Sequence, residues 1–325
     1  MKRFLNGREV GAIGLGCMSF GGIYGTTSED ESHACLESAL KLGINHWDVA
    51  EIYGEGRSEE VIGSYLRLSD AAEVTLATKA GIYTQPTRRY SNTEDDLRAS
   101  LEGSLKRLNR NKVELFYLHR RDPTVEIEDA VEALARIRQD GLCDAIGLSE
   151  VSPASLRRAN KVHPIAAVQM EYSLWSRAVE LGMTQVCQDL GVTLVAFSPL
   201  ARGMLAAKAV QIDALHKGDF RRSMPRFTGS AFENNTRAID GFRAFCAVRD
   251  WHPSAAALAW LLSRGDHVLP IPGTRSAAHL EALVLATEIS LDAADLIEIE
   301  RLLPIGFADG DRYAGTWKNG VEGYC

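Results

Sequence analysis

The stretch Val113-Glu114-Leu115-Phe116-Tyr117-Leu118-His119 is an apolar, strand-like run that ends in an ionisable side chain. Two earlier runs have the same form: Gly43-Ile44-Asn45-His46-Trp47-Asp48 and Val74-Thr75-Leu76-Ala77-Thr78-Lys79. Short runs of this kind, rich in β-branched and aromatic residues, are typical of buried strands. In a barrel of parallel strands the carboxyl ends converge on one face, so the three terminal side chains are predicted to share a site.

Eight apolar runs of strand length recur along the chain, and segments with helical periodicity separate them. The runs lie near residues 12–18, 44–48, 74–78, 113–118, 143–148, 166–170, 192–197 and 267–271. One intervening segment places Leu97, Leu101, Leu105 and Leu108 at the spacing of a single helix face. Alternating strands and helices form parallel sheets, so the pattern predicts an α/β fold, a (β/α)8 TIM barrel in which residues 1–325 form a single domain.

Helix starts and loops support this arrangement. Ser28 with Glu31 and Thr93 with Asp96 have the spacing of a capping box, and Ser152 precedes Pro153 as a helix start. The longest irregular stretch, from about residue 201 to residue 236, follows the seventh strand. We expect this long loop and the C-terminal tail at residues 310–317 to lie near the active site and to set the size and polarity of the substrate.

An open, doubly wound sheet is the alternative fold, and it would bind a dinucleotide on a glycine-rich turn after the first strand. The nearest match is Gly14-Leu15-Gly16-Cys17-Met18-Ser19, where serine replaces the third glycine. No acidic residue follows in the expected ribose-binding position. We interpret these glycines as a close-approach turn at the mouth of a barrel.

The four ionisable residues have complementary chemistry. Tyr53 is the candidate general acid because a phenol stays mostly protonated near neutral pH and can protonate a carbonyl oxygen. Lys79 is expected to lower the pKa of Tyr53 by its charge, and Asp48 to neutralise and orient the lysine. His119 is expected to hydrogen-bond the same oxygen. Each of the four has a purely structural alternative, such as a buried ion pair or a core histidine, but their grouping on successive strand ends favours a site.

Composition narrows the function. The chain has 325 residues, of which 46% are hydrophobic and 24% charged, and its net charge is −7. The negative charge argues against a nucleic-acid partner, and no apolar stretch predicts a membrane span or a secretory signal, so we expect a cytoplasmic protein. The six cysteines lack any Cys-x-x-Cys pair, and no residue cluster predicts a metal site. Cys17, in the glycine-rich loop, is interpreted as a small core residue rather than a reactive thiol.

With these residues in place, the chain resembles an aldo-keto reductase. The similarity is carried by segments in the same order along nearly the whole chain: Trp47–Gly54, Leu76–Lys79, Tyr117–Pro123, Gly147–Glu150, Val168–Leu174, Phe197–Gly203 and Pro270–Arg275. The resemblance implies a reversible, metal-independent and NADPH-dependent reduction of an aldehyde or ketone to an alcohol. It also implies the hydride donor, NADP(H), which the four residues cannot supply.

The resemblance further implies the cofactor contacts. Ser149 and Gln169 would hold the nicotinamide carboxamide, Asp48 would lie beside them, and Phe197 would stack on the ring, where the family more often has tyrosine. The remaining expected contacts are Ser198, Leu200 and Arg202 at the pyrophosphate, and Gly273, Thr274, Arg275 and His279 around the adenosine ribose and its 2′-phosphate. The family commonly has Glu and Asn where this chain has Ala282 and Leu283, so adenine recognition should differ. Because Arg275 offers a charged, planar fork, we expect NADP to be preferred over NAD.

The substrate side is less determined by the sequence. Four aromatic or sulfur-containing residues are candidates for the substrate pocket: Met18, Tyr24, Tyr83 and Trp175. We expect a small carbonyl or alcohol substrate as partner, and the oligomeric state, including a homo-oligomer, stays open. Two alternative functions also stay open. One is a cofactor-holding, redox-sensing regulatory subunit with little turnover, and the other is a metal-dependent barrel hydrolase or isomerase, which lacks a convincing ligand cluster.

Overall fold

The structure is a computed structural model that describes residues 1–69 and 73–323. Cys325, one of the six cysteines, lies outside the described residues. The strands are, in chain order, β1 (Lys2–Leu5), β2 (Arg8–Gly11), β3 (Leu15–Gly16), β4 (His46–Asp48), β5 (Thr75–Ala80), β6 (Ile82–Tyr83), β7 (Arg89–Tyr90), β8 (Val113–Leu118), β9 (Cys143–Ser149), β10 (Ala167–Glu171), β11 (Thr193–Phe197) and β12 (Val268–Pro270). The helices are α1 (Glu29–Lys41), α2 (Arg57–Leu68), α3 (Glu94–Leu108), α4 (Ile127–Gln139), α5 (Pro153–Val162), α6 (Met183–Leu190), α7 (Gly229–Val248), α8 (Pro253–Leu262), α9 (Ala277–Val284) and α10 (Ala293–Leu302).

Eight strands form one parallel sheet that closes on itself. Their order is β3-β4-β5-β8-β9-β10-β11-β12, and each neighbouring pair is parallel. The two edge strands meet where the Gly14 amide donates to the Pro270 carbonyl at 2.9 Å and the Gly16 amide donates to the Pro272 carbonyl at 3.0 Å. The predicted TIM barrel is therefore confirmed, and each of the eight predicted runs overlaps one of its strands.

The helices begin where the sequence predicts. Ser28 and Glu31 form a complete capping box at the start of α1, the Thr93 hydroxyl accepts from the Asp96 amide at the start of α3, and Ser152 caps α5. In α3 the four periodic leucines are all buried. Burial of this apolar face, more than helix propensity, holds each helix against the barrel. No helix among the described residues is long and apolar enough to cross a membrane.

A two-stranded hairpin, β1 and β2, precedes the barrel and was not predicted. Leu5 and Val10 of this hairpin pack into the same apolar cluster as the inward-facing barrel residues Leu115 and Val195. Arg3 donates to the carbonyl oxygens of Leu262 at 3.0 Å and Val268 at 3.2 Å. The hairpin therefore covers the amino-terminal end of the barrel, which leaves the carboxyl end as the open mouth.

The long loop after β11 is shorter than predicted. Several short 3-10 turns are spread through residues 201–227. Helix α7 begins at Gly229, so residues 229–236 are helical rather than irregular. The side-chain amide of Asn235 is fully buried and donates to the carbonyl oxygens of Arg226 at 3.1 Å and Asp309 at 2.9 Å. These tertiary bonds stabilise asparagine in a helix, a position that its local propensity disfavours.

The C-terminal tail crosses the mouth of the barrel, as the sequence predicts. Arg312 forms an ion pair with the buried carboxylate of Glu150, directly after β9. Glu322 accepts from Arg121 at 2.5 Å and from the Ser152 amide at 2.7 Å. Both anchors lie on the loops that follow β8 and β9, so the tail is held over the ends of those strands.

Helix packing around the barrel gives a first test. Gly63 of α2 faces the end of α3, where a Cβ atom would lie 1.9 Å from the carbonyl oxygen of Arg107. Gly63→Ala should therefore push the two helices apart and destabilise the fold by about 1–3 kcal/mol. The measurement is the thermal-denaturation midpoint.

Gly103→Ala, within α3, is the matched control. A Cβ atom there meets only the end of the flexible Arg107 side chain, at 3.3 Å. Since alanine favours a helix over glycine by about 1 kcal/mol, the midpoint of this variant should stay level or rise. Equal midpoints for the two variants would show that the α2–α3 contact is not close.

Candidate active site

The ends of three strands bring the four predicted residues together. Asp48 ends β4, Lys79 lies in β5, His119 follows β8, and Tyr53 lies in the turn after β4. The register places Lys79 beside Tyr117 and Asp48 beside Ala77, and the His119 amide donates to the Ala80 carbonyl at 2.8 Å. The strand pairing thus fixes the backbones of Asp48, Lys79 and His119 relative to one another at the barrel mouth.

Lys79 is the centre of the group. Its Nζ atom forms an ion pair with Asp48 Oδ1 and also lies 2.8 Å from the Val49 carbonyl and 3.3 Å from the Tyr53 hydroxyl. The other carboxylate oxygen of Asp48 accepts from Gln169 Nε2 at 2.7 Å. An ammonium has three N–H donors, so these three oxygens satisfy it completely.

Burial and the neighbouring oxygens act in opposite directions on the lysine. The Lys79 side chain is fully buried, and burial by itself lowers the pKa of an amine. Asp48 and Tyr53 outweigh this effect, and the pKa of Lys79 is raised above its ordinary value. Lys79 therefore stays protonated at neutral pH.

Burial outweighs the expected effect of Lys79, so the pKa of Tyr53 is raised above its ordinary value although the charge of Lys79 lowers it as predicted. Burial raises the pKa of the Tyr53 phenol, and the opposing charge of Lys79 only partly offsets that rise. Tyr53 is consequently a protonated donor across neutral pH rather than a partly ionised one. Its ring meets that of His119 edge to face, with centroids 5.9 Å apart.

His119 is neutral in this setting. Burial lowers the pKa of its imidazole well below the ordinary 6.5, and the nearby positive charges of Arg120, Lys79 and Arg88 lower it further. A neutral imidazole has one N–H to donate. His119 is thus a second hydrogen-bond donor whose ring lies against that of Tyr53, although His119 is not among the residues that line the cavity beside Tyr53.

A cavity of about 600 Å³ opens beside Asp48 and Tyr53 and runs towards α9. The lining contains every residue predicted to contact the cofactor except Ser149: Asp48, Gln169, Phe197, Ser198, Leu200, Arg202, Gly273, Thr274, Arg275 and His279. Ser149 is buried nearby, and its hydroxyl accepts from Arg120 Nη1 at 3.1 Å. The cavity brings residues from both halves of the chain onto one surface.

The residues predicted for the substrate pocket divide into two pairs. Met18 and Tyr24 line the cavity, and Tyr24 also contacts Phe220 of the long loop, with ring centroids 5.3 Å apart. Tyr83 and Trp175 do not line it. The Tyr83 hydroxyl lies 3.1 Å from Ser100 Oγ, and Trp175 stacks on a phenylalanine ring elsewhere at the mouth.

Arg202 lines the cavity, but its guanidinium is already engaged. It pairs with the buried carboxylate of Glu171 at 3.1 Å and donates to the carbonyl of Arg312 at 3.1 Å. Aromatic rings of Phe220 and Tyr313 lie beside it, 5.5 and 4.9 Å from the guanidinium carbon. The predicted side-chain contact with a pyrophosphate therefore competes with a structural role that joins the loop to the tail.

The far end of the cavity is built around the start of α9. Arg275 donates to the carbonyl of Gly25 at 2.8 Å and forms no ion pair within 4 Å among the described residues, although its charge helps to lower the pKa of Glu31. His279 Nδ1 lies 3.3 Å from Thr274 Oγ1. A helix N-terminus with an adjacent arginine is a suitable place for an anion.

Sequence reasoning did not single out several of the lining residues, among them the polar or charged Lys208, Arg221, His252 and Ser254. Lys208 is exposed and is not ion-paired within the part of the chain that the structure describes. Arg221, in contrast, is paired with Asp219 at 2.6 Å. His252 precedes the Pro253 that starts α8, and that helix-start signal was the one local indication that it lies at an element end facing the mouth.

Comparison with known proteins agrees with this geometry. The Aldo/keto reductase family model matches residues 12–304. A protein from Glycine max named Probable aldo-keto reductase 1 is 34% identical over 316 residues, which cover 96% of this chain and 91% of the relative. A Schizosaccharomyces pombe protein named Aldo-keto reductase yakc [NADP(+)] is 35% identical over 318 residues, with coverage of 96% and 94%.

Solved structures show the same fold. A glycerol dehydrogenase from Gluconobacter oxydans superimposes with a TM-score of 0.84 at 25% identity, covering 93% of this chain and 94% of that one. An aldo-keto reductase from Bacillus halodurans gives a TM-score of 0.78 at 24% identity, with coverage of 96% and 99%. The match of the family model over most of the barrel, together with relatives aligned along nearly their whole length, shows that this chain belongs to the aldo/keto reductase family of enzymes.

Proposed function

We propose that this enzyme catalyses the reversible, NADPH-dependent reduction of an aldehyde or ketone to an alcohol. The observation that carries the proposal is the chain of contacts from Asp48 through Lys79 Nζ to the Tyr53 hydroxyl, which ends at the wall of the cavity. It provides a proton donor at the place where a carbonyl oxygen would lie. The name of the Schizosaccharomyces pombe relative supports NADP as the cofactor.

The cavity suits a dinucleotide. Gly16 and Gly273 face each other where the first and last barrel strands meet. A Cβ on Gly16 would lie 2.9 Å from the Ile271 carbonyl, so the site requires glycine and no side chain covers the backbone on this side of the cavity. Phe197 is half-buried and lines the cavity near Gln169, where its ring can stack on an aromatic ring. A guanidinium without an ion pair among the described residues lies at the other end, on Arg275. These features fit a planar ring at one end and a phosphate at the other.

In this proposal the bound nicotinamide supplies a hydride, and the protein handles the proton. Tyr53 donates its proton to the carbonyl oxygen as negative charge develops there. The phenolate left behind lies 3.3 Å from the Lys79 ammonium, which stabilises it. Asp48 keeps that ammonium in position, and Gln169 in turn holds Asp48.

His119 and the phosphate end would orient the reactants. The neutral His119 imidazole donates a hydrogen bond to the same carbonyl oxygen, so two donors fix its direction. At the other end of the cavity, Arg275 and the first amides of α9 would bind the 2′-phosphate that distinguishes NADP from NAD. Ala282 and Leu283 line the cavity there, and they would contact adenine through apolar atoms alone.

Tyr53→Phe tests the proton donor. Loss of the hydroxyl should lower the rate of aldehyde reduction by about 10²-fold or more, because general acid catalysis contributes roughly that much. The dissociation constant of NADPH should change little. The measurement is NADPH oxidation across aromatic aldehydes, aliphatic aldehydes and sugars, beside cofactor binding by fluorescence.

Tyr65→Phe, in α2 and outside the cavity lining, is a control that also loses a phenol hydroxyl. Retained turnover in Tyr53→Phe would show that the assigned acid is wrong. Tight NADPH binding by the wild-type protein, without turnover of any carbonyl compound, would instead favour a regulatory role.

The protonation state of His119 is a separate prediction. Because its pKa is lowered, the imidazole should stay neutral as the pH falls from about 8 to about 5.5, whereas the unfolded chain takes up a proton near 6.5. This difference makes folding less favourable as the pH falls below about 6.5. The ring-nitrogen NMR shifts of His119, assigned by comparison with His119→Asn, should not titrate over that range. A midpoint near the ordinary value would remove the argument for a neutral donor.

Arg275→Ala tests the cofactor preference. The dissociation constant for NADPH should rise by about tenfold or more, since a charge-assisted contact to phosphate is lost, while that for NADH should change little. Fluorescence quenching measures both constants. Arg222→Ala, which alters an exposed arginine of the long loop that does not line the cavity, serves as the control. Comparable constants for the two cofactors in the wild-type protein would refute the preference.

A further inference from the structure

We infer that the site selects carbonyl substrates that carry a carboxylate, and that Arg120 and Arg88 are the specificity-determining residues that bind it. This inference rests on the proposed reductase function and names its substrate class. The observation behind it is a pair of arginines beside His119 that have only neutral partners among the described residues.

Arg120 is directed back over the barrel mouth. It follows His119 directly, and its Nη1 atom donates to the His119 carbonyl at 2.7 Å and to the Ser149 hydroxyl at 3.1 Å. Both acceptors are neutral, and no carboxylate lies within 4 Å of this guanidinium in residues 1–69 and 73–323. Arg120 therefore bridges the ends of β8 and β9 with its charge unpaired.

The charge of Arg120 reaches the reacting groups. It contributes to the lowered pKa of His119 and opposes the rise in the pKa of Tyr53. The hydrogen bond to the His119 carbonyl places the Arg120 guanidinium beside that residue.

Arg88 supplies a second positive charge on the same side. Its Nε atom donates to the Tyr90 hydroxyl at 3.2 Å, and its guanidinium lies over the ring of Trp317 in the C-terminal tail, 4.7 Å from the centroid. It too lacks a carboxylate partner in the described part of the chain, and it too lowers the pKa of His119. Tyr90 and the Arg120 side chain both lie next to Gly320 of the tail, so the two arginines are on the same side of the mouth.

Neighbouring arginines show that this lack of pairing is a local feature. Arg89, next to Arg88, pairs with Asp96 at 3.2 Å, and Arg121, next to Arg120, pairs with Glu322 at 2.5 Å. At the mouth, the carboxylate of Glu150 is ion-paired with Arg312, and that of Glu171 is ion-paired with Arg202. These four carboxylates are therefore already paired, and none of them neutralises Arg120 or Arg88.

The tail encloses this charge. Gly320 passes so close to Arg120 and Tyr90 that a Cβ atom on it would lie 3.0 Å from each side chain. Partial exclusion of water strengthens a charge-assisted hydrogen bond, and a guanidinium binds a carboxylate through two parallel N–H donors. A carboxylate on the substrate would complete the ion pairs that the protein leaves open.

The test compares each of the ortho, meta and para isomers of carboxybenzaldehyde with its methyl ester, at saturating NADPH. For the best isomer, the wild-type KM for the acid should be about tenfold or more below that for the ester, and it should rise with ionic strength. Arg120→Met should raise the KM for the acid by about tenfold and leave that for the ester within about twofold. Arg88→Met should act in the same direction, and Arg120→Lys should restore part of the preference.

Arg89→Met is the matched control, because it removes a neighbouring arginine whose charge is already paired; it should leave the ratio of the two KM values unchanged. Equal KM values for acid and ester in the wild-type protein, without salt dependence, would overturn the inference while the proposed function stands. An equal rise for both substrates in Arg120→Met, with weaker NADPH binding, would also overturn it, because Arg120 would then act through Ser149 on the cofactor. Failure to reduce any acid or ester would contradict the proposed function as well.

Discussion

Lys79 carries a positive charge at the centre of the barrel mouth, fully removed from solvent, and the groups around it are arranged to compensate that charge. Transferring such an ion from water into a protein costs several kcal/mol, even after relaxation. Three oxygen contacts offset this cost, and they come from Asp48, the Val49 carbonyl and Tyr53. They form only if β4 and β5 keep their register and the turn after β4 keeps its shape. The buried Lys79 ammonium therefore links the stability of the fold to the position of the Tyr53 hydroxyl, which is one of its three partners.

A second layer of charges holds the covering segments in place. Glu150 and Glu171 are buried at the ends of β9 and β10, and each is neutralised by an arginine from elsewhere in the chain. Arg312 brings the tail to Glu150, and Arg202 brings the loop after β11 to Glu171. Since a buried carboxylate without a partner is strongly disfavoured, these pairs fix two segments that have little regular structure of their own.

The barrel and the central residues could be predicted from the sequence because both depend on local patterns. Apolar runs of strand length alternate with helix-like segments, and parallel strands necessarily bring their carboxyl ends to one face. Three polar residues at the ends of three such runs were therefore sufficient to locate the site. The family resemblance then supplied the cofactor contacts, nearly all of which line one cavity.

What the sequence did not reveal depends on contacts between distant residues. The helical state of Asn235 rests on bonds to Asp309, and the engagement of Arg202 rests on Glu171 and on the carbonyl of Arg312. The net rise in the pKa of Tyr53 was not predicted, because burial, which a sequence does not report, outweighs the lowering effect of Lys79. The hairpin that closes the amino-terminal end is likewise positioned by its contacts with the barrel interior.

The most direct test of this account is a double-mutant cycle on the rate of hydride transfer in a single turnover, with Tyr53→Phe, Lys79→Met and the double variant. If Lys79 acts on the reaction through the Tyr53 phenol, the double variant should be no slower than Tyr53→Phe alone. Losses that multiply in the double variant would contradict the account, because Lys79 and Tyr53 would then contribute to the reaction independently.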